Sequence, residues 1–355
     1  GYSYYSFDQP SEMPEYVEKR FEEILPELLN SSSRKTRELV GKKLYKHQLD
    51  SLKALEEGCN LILKSGTGSG KTESWFLYTA RRKIKTLSVY PTLALAYDQL
   101  NRLSQYCLDL NMKIMILDAM RKQELISKHG SKNARRIISE SDLIVTNPAF
   151  LFNEVKKYAL QSHSLLSPFF EKTVLIVVDD FDFYGPREIA LLFSMLKMLV
   201  KITGNNIQFA FMTAMLANPE EVAEYLKRIN NRETRIVSGK AFKAKNRVYI
   251  VLGKNIRKMW EEARKFSDKL EKAGVGEDIL RSLQDFHLFQ QNVYRVWDAL
   301  RYVGVPAPEP WSDPVEILSN YVFDETITLV FTKSIEWAEE ISRRLIERTG
   351  RRERV

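Results

Sequence analysis

The chain has 355 residues, 44% hydrophobic and 28% charged, with a formal net charge of +8. This composition supplies one large core or two ordinary ones and excludes a disordered or low-complexity chain, while the basic surplus favours polyanionic partners. The two cysteines, Cys59 and Cys107, stand in unrelated contexts; this excludes a disulfide framework or a cysteine-built zinc site and fits a reducing, intracellular (cytoplasmic) setting.

The first residues lack a basic flank followed by an apolar segment, so no signal peptide is expected. The apolar runs are far shorter than the ~20 residues of a membrane span. Residues 14–30 read as an amphipathic helix with Phe21, Ile24, Leu25 and Leu28 on one side, and a loop follows at 30–33. From residue 60 onward, short apolar runs at 61–64, 87–90, 113–117, 142–146, 174–178, 207–212 and 235–237 alternate with longer helical stretches. Continuous apolar strands belong to a parallel sheet covered on both faces. The expected fold is therefore α/β, a parallel sheet flanked by helices.

Residues 255–273 and 277–303 read as helices joined at 274–276; in the second, Ile279, Leu283, Phe286, Phe289, Val293, Val296 and Leu300 form a stripe that reads as core packing. Pro306, Pro308, Pro310 and Pro314 make 305–314 a stiff linker. Beyond it, 315–322 reads as a helix, 326–331 as a strand and 335–348 as a helix, too little for a self-sufficient domain. The expected organisation is a helical extension over 1–40, a nucleotide-binding domain over 41–253, a helical insert over 254–304, the linker, and the start of a second domain over 315–355.

Ser65-Gly66-Thr67-Gly68-Ser69-Gly70-Lys71-Thr72 follows a predicted strand and opens a helix, the context required of a phosphate-binding loop. Its glycines allow a tight turn whose N–H groups face an anion at a helix N-terminus. Lys71 would reach the β- and γ-phosphates of ATP, and the Thr72 hydroxyl would ligate Mg²⁺. The apolar run 174–178 ends in Asp179-Asp180-Phe181-Asp182. Three carboxylates in four residues repel one another unless a cation is present. Asp179 is the expected metal partner, and Asp180 the group that orients or deprotonates the attacking water.

These motifs, with others in matching order, resemble the first motor domain of superfamily 2 helicases, a RecA-like fold, and in wording are closest to the MrfA-type DNA repair helicases. Leu44-Tyr45-Lys46-His47-Gln48 resembles the adenine-reading Q motif, which implies a base contact for Gln48. The run from Tyr90-Pro91-Thr92 to Gln99-Leu100 resembles motif Ia, and Val145-Thr146-Asn147-Pro148 resembles motif Ib. The resemblance implies nucleic-acid backbone contacts at Pro91, Thr92, Thr146, Asn147 and Pro148. Phe211-Met212-Thr213-Ala214-Met215 resembles motif III, implying that Thr213 and Asp182 couple hydrolysis to strand movement. Leu329 to Ser334 resembles motif IV, at the start of a second RecA-like domain.

Three departures stand out. Asp180 replaces the usual glutamate of motif II, Met215 replaces the usual hydroxyl residue of motif III, and no glycine occurs around Leu117-Asp118-Ala119. Motifs V and VI, with their arginine finger, are absent from the sequence, so the chain by itself is expected to turn over ATP feebly.

The resemblance implies the motor part of an ATP-dependent helicase or translocase on DNA, with RNA or a restriction- or CRISPR-associated motor as alternatives. Asp180 and Met215, taken at face value, suit a nucleotide-gated clamp or assembly subunit. Most basic clusters read as solvated helix faces, and the insert with Trp260 and Trp297 reads as a helical pair packed on the motor rather than as a strand guide.

Overall fold

The computed structural model describes residues 1–161, 164–204, 207–306, 310–321 and 328–350. Its strands are β1 (Ser3–Gln9), β2 (Tyr16–Arg20), β3 (Lys43–Tyr45), β4 (Asn60–Ser65), β5 (Lys85–Val89), β6 (Ile114–Leu117), β7 (Leu143–Thr146), β8 (Thr173–Val178), β9 (Gln208–Thr213), β10 (Thr234–Gly239) and β11 (Asn246–Gly253). The chain divides into two units, Ser11–Ala244 and Gly1–Pro10 with Lys245–Val355.

The first unit is built on a parallel sheet of seven strands in the order β10-β4-β9-β8-β5-β7-β6. Alternate residues of each strand enter opposite cores. Leu61, Leu63, Leu175, Val177 and Met212 meet Trp75, Phe76 and Leu103 on one face. Ile62, Ile176, Val178, Phe209 and Phe211 meet Leu151, Leu196 and Leu226 on the other. Burial on both sides is why these strands are apolar without alternation, and it confirms the α/β class. Because all seven run parallel, the loops after β4, β5, β7, β8 and β9 open at one edge, the carboxyl end where α/β sheets place their sites.

Residues 14–30 are not a helix. They form β2, which pairs with β3, followed by two short 3₁₀ turns at Phe21–Glu23 and Pro26–Asn30. Pro26 has no N–H to give a continuous helix, and Arg20 is fully extended at φ −108°, ψ 164°. Phe21, Ile24, Leu25 and Leu28 are nonetheless buried. The apolar spacing reported their burial but not the backbone that achieves it. Within 1–40 the α-helix is confined to Arg34–Val40.

In the second unit β1 runs antiparallel to β11. The helices Ile256–Arg264, Ser267–Lys272, Glu277–Gln284 and Phe286–Tyr302 follow, around Leu252, Met259, Leu283, Phe289, Val293, Val296 and Leu300. The stripe is core, as expected. The single helix expected over 277–303 is broken at Asp285, whose backbone is extended (φ −121°, ψ 118°) and whose carboxylate caps the next helix by accepting from His287 N and Leu288 N. The helix expected over 315–322 is the short Pro314–Leu318, with position 322 outside the described residues; Ile335–Thr349 is helical as expected. Of the strand expected over 326–331, positions 326–327 lie outside the described residues and 328–331 are irregular. Leu329, Val330 and Phe331 are exposed there, and no described strand pairs with them; without a neighbour an extended segment has no ladder to join. Among the described residues no helix is long and apolar enough to cross a membrane.

Candidate nucleotide site

The loop 66–70 leaves β4 and enters the helix Lys71–Arg82. Gly68 and Gly70 adopt φ of 78° and 75°, the left-handed region where a side chain is strained. Ser69 N donates to Gly66 O at 3.3 Å, and the helix proper begins with Ser74 N to Gly70 O at 3.2 Å. The remaining N–H groups of this turn and of the helix start form a concave donor set suited to an anion.

Lys71 turns back over the loop. Its Nζ donates to Ser65 O at 3.2 Å and lies 3.9 Å from Asp180 Oδ1. In the sheet order β9 sits between β4 and β8, so one lysine spans the ends of two strands that are not neighbours. The Thr72 hydroxyl donates to Gln99 Oε1 at 3.3 Å, tying the loop to the helix Leu93–Asp109.

Asp179 follows directly after β8 with only 3% of its surface exposed, and Asp180 N donates to its Oδ1 at 2.9 Å. Burial, with the neighbouring Asp180 charge second, pushes the Asp179 carboxyl up to about 7. Burial likewise raises Asp180, against the pull of Lys71. Asp180 adopts a left-handed backbone (φ 47°, ψ 49°), uncommon for a residue with a Cβ, and this swings its short side chain toward Lys71. Asp182 Oδ1 accepts from Ala214 N at 2.9 Å and lies 2.8 Å from the Thr213 hydroxyl, joining the loops after β8 and β9.

Gln48 lies at the opposite side of the loop. Its Nε2 donates to Gly70 O at 3.2 Å and its Oε1 accepts from Tyr45 N at 3.0 Å. His47 is buried, which lowers its imidazole pKa, and its Nε2 sits 2.8 Å from Ser69 O. A neutral ring with the proton on Nε2 fits that carbonyl.

The residues expected to touch nucleic acid separate into two groups. Pro91, Thr92, Asn147 and Pro148 line one depression of about 330 Å³ with Phe152 and Phe183. Thr92 and Asn147 also cap the helices that start there, accepting from Leu95 N and Phe150 N. Thr146 is different: it is fully buried and its hydroxyl donates to Leu117 O at 2.6 Å. That side chain holds β7 to β6 and is unavailable to a ligand, contrary to the expectation from the motif.

The fit to a divalent cation can be judged from the donors. The Thr72 hydroxyl and the Asp179 carboxylate are hard oxygen ligands of the kind Mg²⁺ takes, and a carboxyl raised by burial beside a second acid is relieved by positive charge. Among the described residues no group of three or more His, Cys, Asp or Glu side chains could hold a metal ion. Sequence reasoning missed Gln99, Glu73 and Arg102. They are ordinary polar residues on helices, and only the fold brings them to the loop.

The chain belongs to the DEAD/DEAH box helicase family, whose model matches residues 45–222, half of its length. An uncharacterized ATP-dependent helicase of Methanocaldococcus jannaschii is 26% identical over 223 residues, covering 60% of this chain and 31% of the relative. YprA, an uncharacterized ATP-dependent helicase of Bacillus subtilis, is 25% identical over 192 residues, covering 52% of this chain and 24% of YprA. The chain thus spans a third or less of the length of these curated relatives. The crystal structure of the DUF1998 helicase MrfA bound to DNA superposes with a TM-score of 0.54 at 17% identity, over 85% of this chain and 46% of MrfA. The structure of Mycobacterium smegmatis helicase Lhr bound to ssDNA and AMP-PNP gives 0.53 at 19% identity, over 86% of this chain and 34% of Lhr. At these identities the likeness establishes the shared fold. The matched region is thus the helicase domain that the family model describes, and the curated relatives are named ATP-dependent helicases.

Proposed function

We propose that the chain is the ATP·Mg²⁺-binding motor part of a DNA helicase or translocase, with the site formed by the loop after β4 and the acids after β8. The observation that carries this reading is Lys71, held between the Ser65 carbonyl and the Asp180 carboxylate, where a bound triphosphate would replace both partners. Backbone N–H groups of Gly66, Thr67, Gly68 and Gly70 would cradle phosphate oxygens, and Lys71 would neutralise the β- and γ-phosphates. The Thr72 hydroxyl and the Asp179 carboxylate would hold the cation, which would supply positive charge against the phosphates. Asp180 orients the attacking water or takes its proton. Gln48 borders the base. The Asp182–Thr213 link carries the change in the acidic loop to the loop after β9.

DNA is favoured as the track because the structural relatives MrfA and Lhr are described as bound to DNA and ssDNA; the net charge of +8 suits a nucleic-acid track of either kind. Pro91, Thr92, Asn147 and Pro148 rim a face where two helix N-termini can receive backbone phosphates. Binding of ATP with Mg²⁺ and hydrolysis stimulated by ssDNA, dsDNA or RNA test the reading. Loss of nucleotide binding in Lys71→Ala, with greater stimulation by DNA than by RNA, supports it. Unchanged nucleotide affinity in that variant refutes it.

A further inference from the structure

The depression rimmed by Pro91, Thr92, Asn147 and Pro148 has an apolar wall that phosphate contacts leave unused. Phe183 stands on it with 65% of its surface exposed, and Phe152 and Leu191 continue it. The backbone beneath Phe183 is held firmly. Phe183 N donates to Asp180 O at 2.9 Å and Tyr184 N to Phe181 O at 3.3 Å. In the same turn the buried Phe181 ring packs 5.0 Å from that of Phe211. Phe183 therefore presents its ring to the opening from a fixed turn and forgoes the burial that its apolar surface would gain. An occupant of the depression restores that gain.

The lining indicates what the occupant is. Among the described residues that form it none is Lys, Arg or His, and one, Glu188, is an acid. A phosphate inside would meet a carboxylate and no cation, whereas a planar uncharged ring would meet Phe152, Phe183, Leu191 and Met195. Phosphates belong at the rim instead, where the helices Leu93–Asp109 and Pro148–Gln161 begin. Charge at the edge and a flat apolar ring within is the pattern of one nucleotide unit in a single strand. In a duplex the base is paired and stacked and does not reach such a wall. The volume, about 330 Å³, lies at the small end of ligand pockets and suits one base.

We propose that Phe183 is a base-stacking residue: one base of single-stranded DNA turns into this depression and lies against the Phe183 ring, while its flanking phosphates stay at the helix starts beside Thr92 and Asn147. This rests on the reading of this face as the nucleic-acid track. The contact does not depend on base identity, because every base has a π face. No covalent step is involved.

The test compares single-stranded oligothymidylate with an abasic sugar–phosphate strand of the same length, at one fixed salt concentration. Fluorescence anisotropy follows binding to the 355-residue chain and to its Phe183→Ala and Phe183→Tyr variants, with circular dichroism to confirm folding. Loss of one stack predicts that Phe183→Ala binds the thymine strand about 5- to 100-fold more weakly, with its affinity for the abasic strand unchanged. Phe183→Tyr keeps the ring and therefore the preference for the base-bearing strand. Equal affinity of the unmodified chain for the two strands overturns the stacking role. So do equal losses for both strands in Phe183→Ala, or no loss for either, the last result leaving the wall to an apolar side chain of a protein partner. Failure of the unmodified chain to bind either strand overturns the nucleic-acid reading of this face, and this proposal with it.

Discussion

Gly239, at the end of β10, makes room for the ring of His47: a Cβ there would fall 2.4 Å from His47 Cγ and Nδ1. The absence of a side chain at an edge strand is thereby connected to the phosphate loop, because the same ring contacts Ser69 O through Nε2. Gly239→Ala is expected to displace His47, free the Ser69 carbonyl and loosen the loop. Nucleotide affinity should fall about tenfold, the cost of one disrupted hydrogen bond and the repacking around it. Titration calorimetry checks it, with circular dichroism to confirm that the sheet is retained.

Removing the ammonium of Lys71 takes away the cation nearest the proposed phosphates. Lys71→Ala should weaken ATP binding by about 10- to 100-fold, the range for a charge-assisted contact. Fluorescence-detected nucleotide titration measures the change.

Asp180 and Asp179 should respond differently to loss of charge. Asp180→Asn removes the group proposed to act on water and is expected to lower ATP turnover by about 10²-fold or more while leaving binding largely intact. Asp180→Glu should retain turnover, because the carboxylate is kept and only its reach changes. Steady-state hydrolysis at saturating nucleotide separates the two variants.

In the metal-free chain Asp179 also makes stability depend on pH. Its folded pKa of about 7 lies above the ordinary 3.8, so the folded state binds the extra proton between those values. The stability associated with the neutral carboxyl is full below the lower value and is lost as pH rises through the upper one. Asp179→Asn, neutral at every pH, should therefore match the native chain near pH 4 and exceed it at pH 8. At about 1.4 kcal/mol for each pH unit separating the folded and unfolded values, the gain is a few kcal/mol. Urea unfolding of both proteins in chelator at the two pH values provides the comparison.

Thr146→Val should act on stability rather than on the track. It leaves the buried Leu117 carbonyl without its donor, a cost of about 1–3 kcal/mol. DNA affinity of the folded protein should stay unchanged, in contrast to Asn147→Ala at the rim of the depression. Thermal melting and a DNA-binding isotherm on the same preparations report the two effects separately.

The sheet was legible because burial on both faces leaves continuous apolar runs at its central strands, and the loop because glycines, lysine and threonine fall at fixed offsets after one of them. Residues 14–30 misled for a related reason: a 3₁₀ turn and an α-helix place apolar residues at similar spacings, and only Pro26 and the pairing of β2 with β3 distinguish them. Asp285 reads in sequence as one polar residue within a helical pattern, yet its side chain caps the second helix and ends the first. Motif wording placed Thr146 at a ligand because it records position along the strand end, not which way the hydroxyl turns. Glu73 looks like any acid in a helical first turn. Its burial and its pairing with Arg102 are assembled only by the tertiary fold.

The antiparallel pairing of Ser3–Gln9 with Asn246–Gly253 makes the second unit discontinuous in the polypeptide. During synthesis the opening strand must wait, unpaired, while the whole seven-stranded unit emerges from the ribosome. A protease-resistant fragment over 11–244 can then be complete in itself, whereas a nick near Pro10 would detach the first strand of the other unit and leave an open hydrogen-bonding edge on Asn246–Gly253.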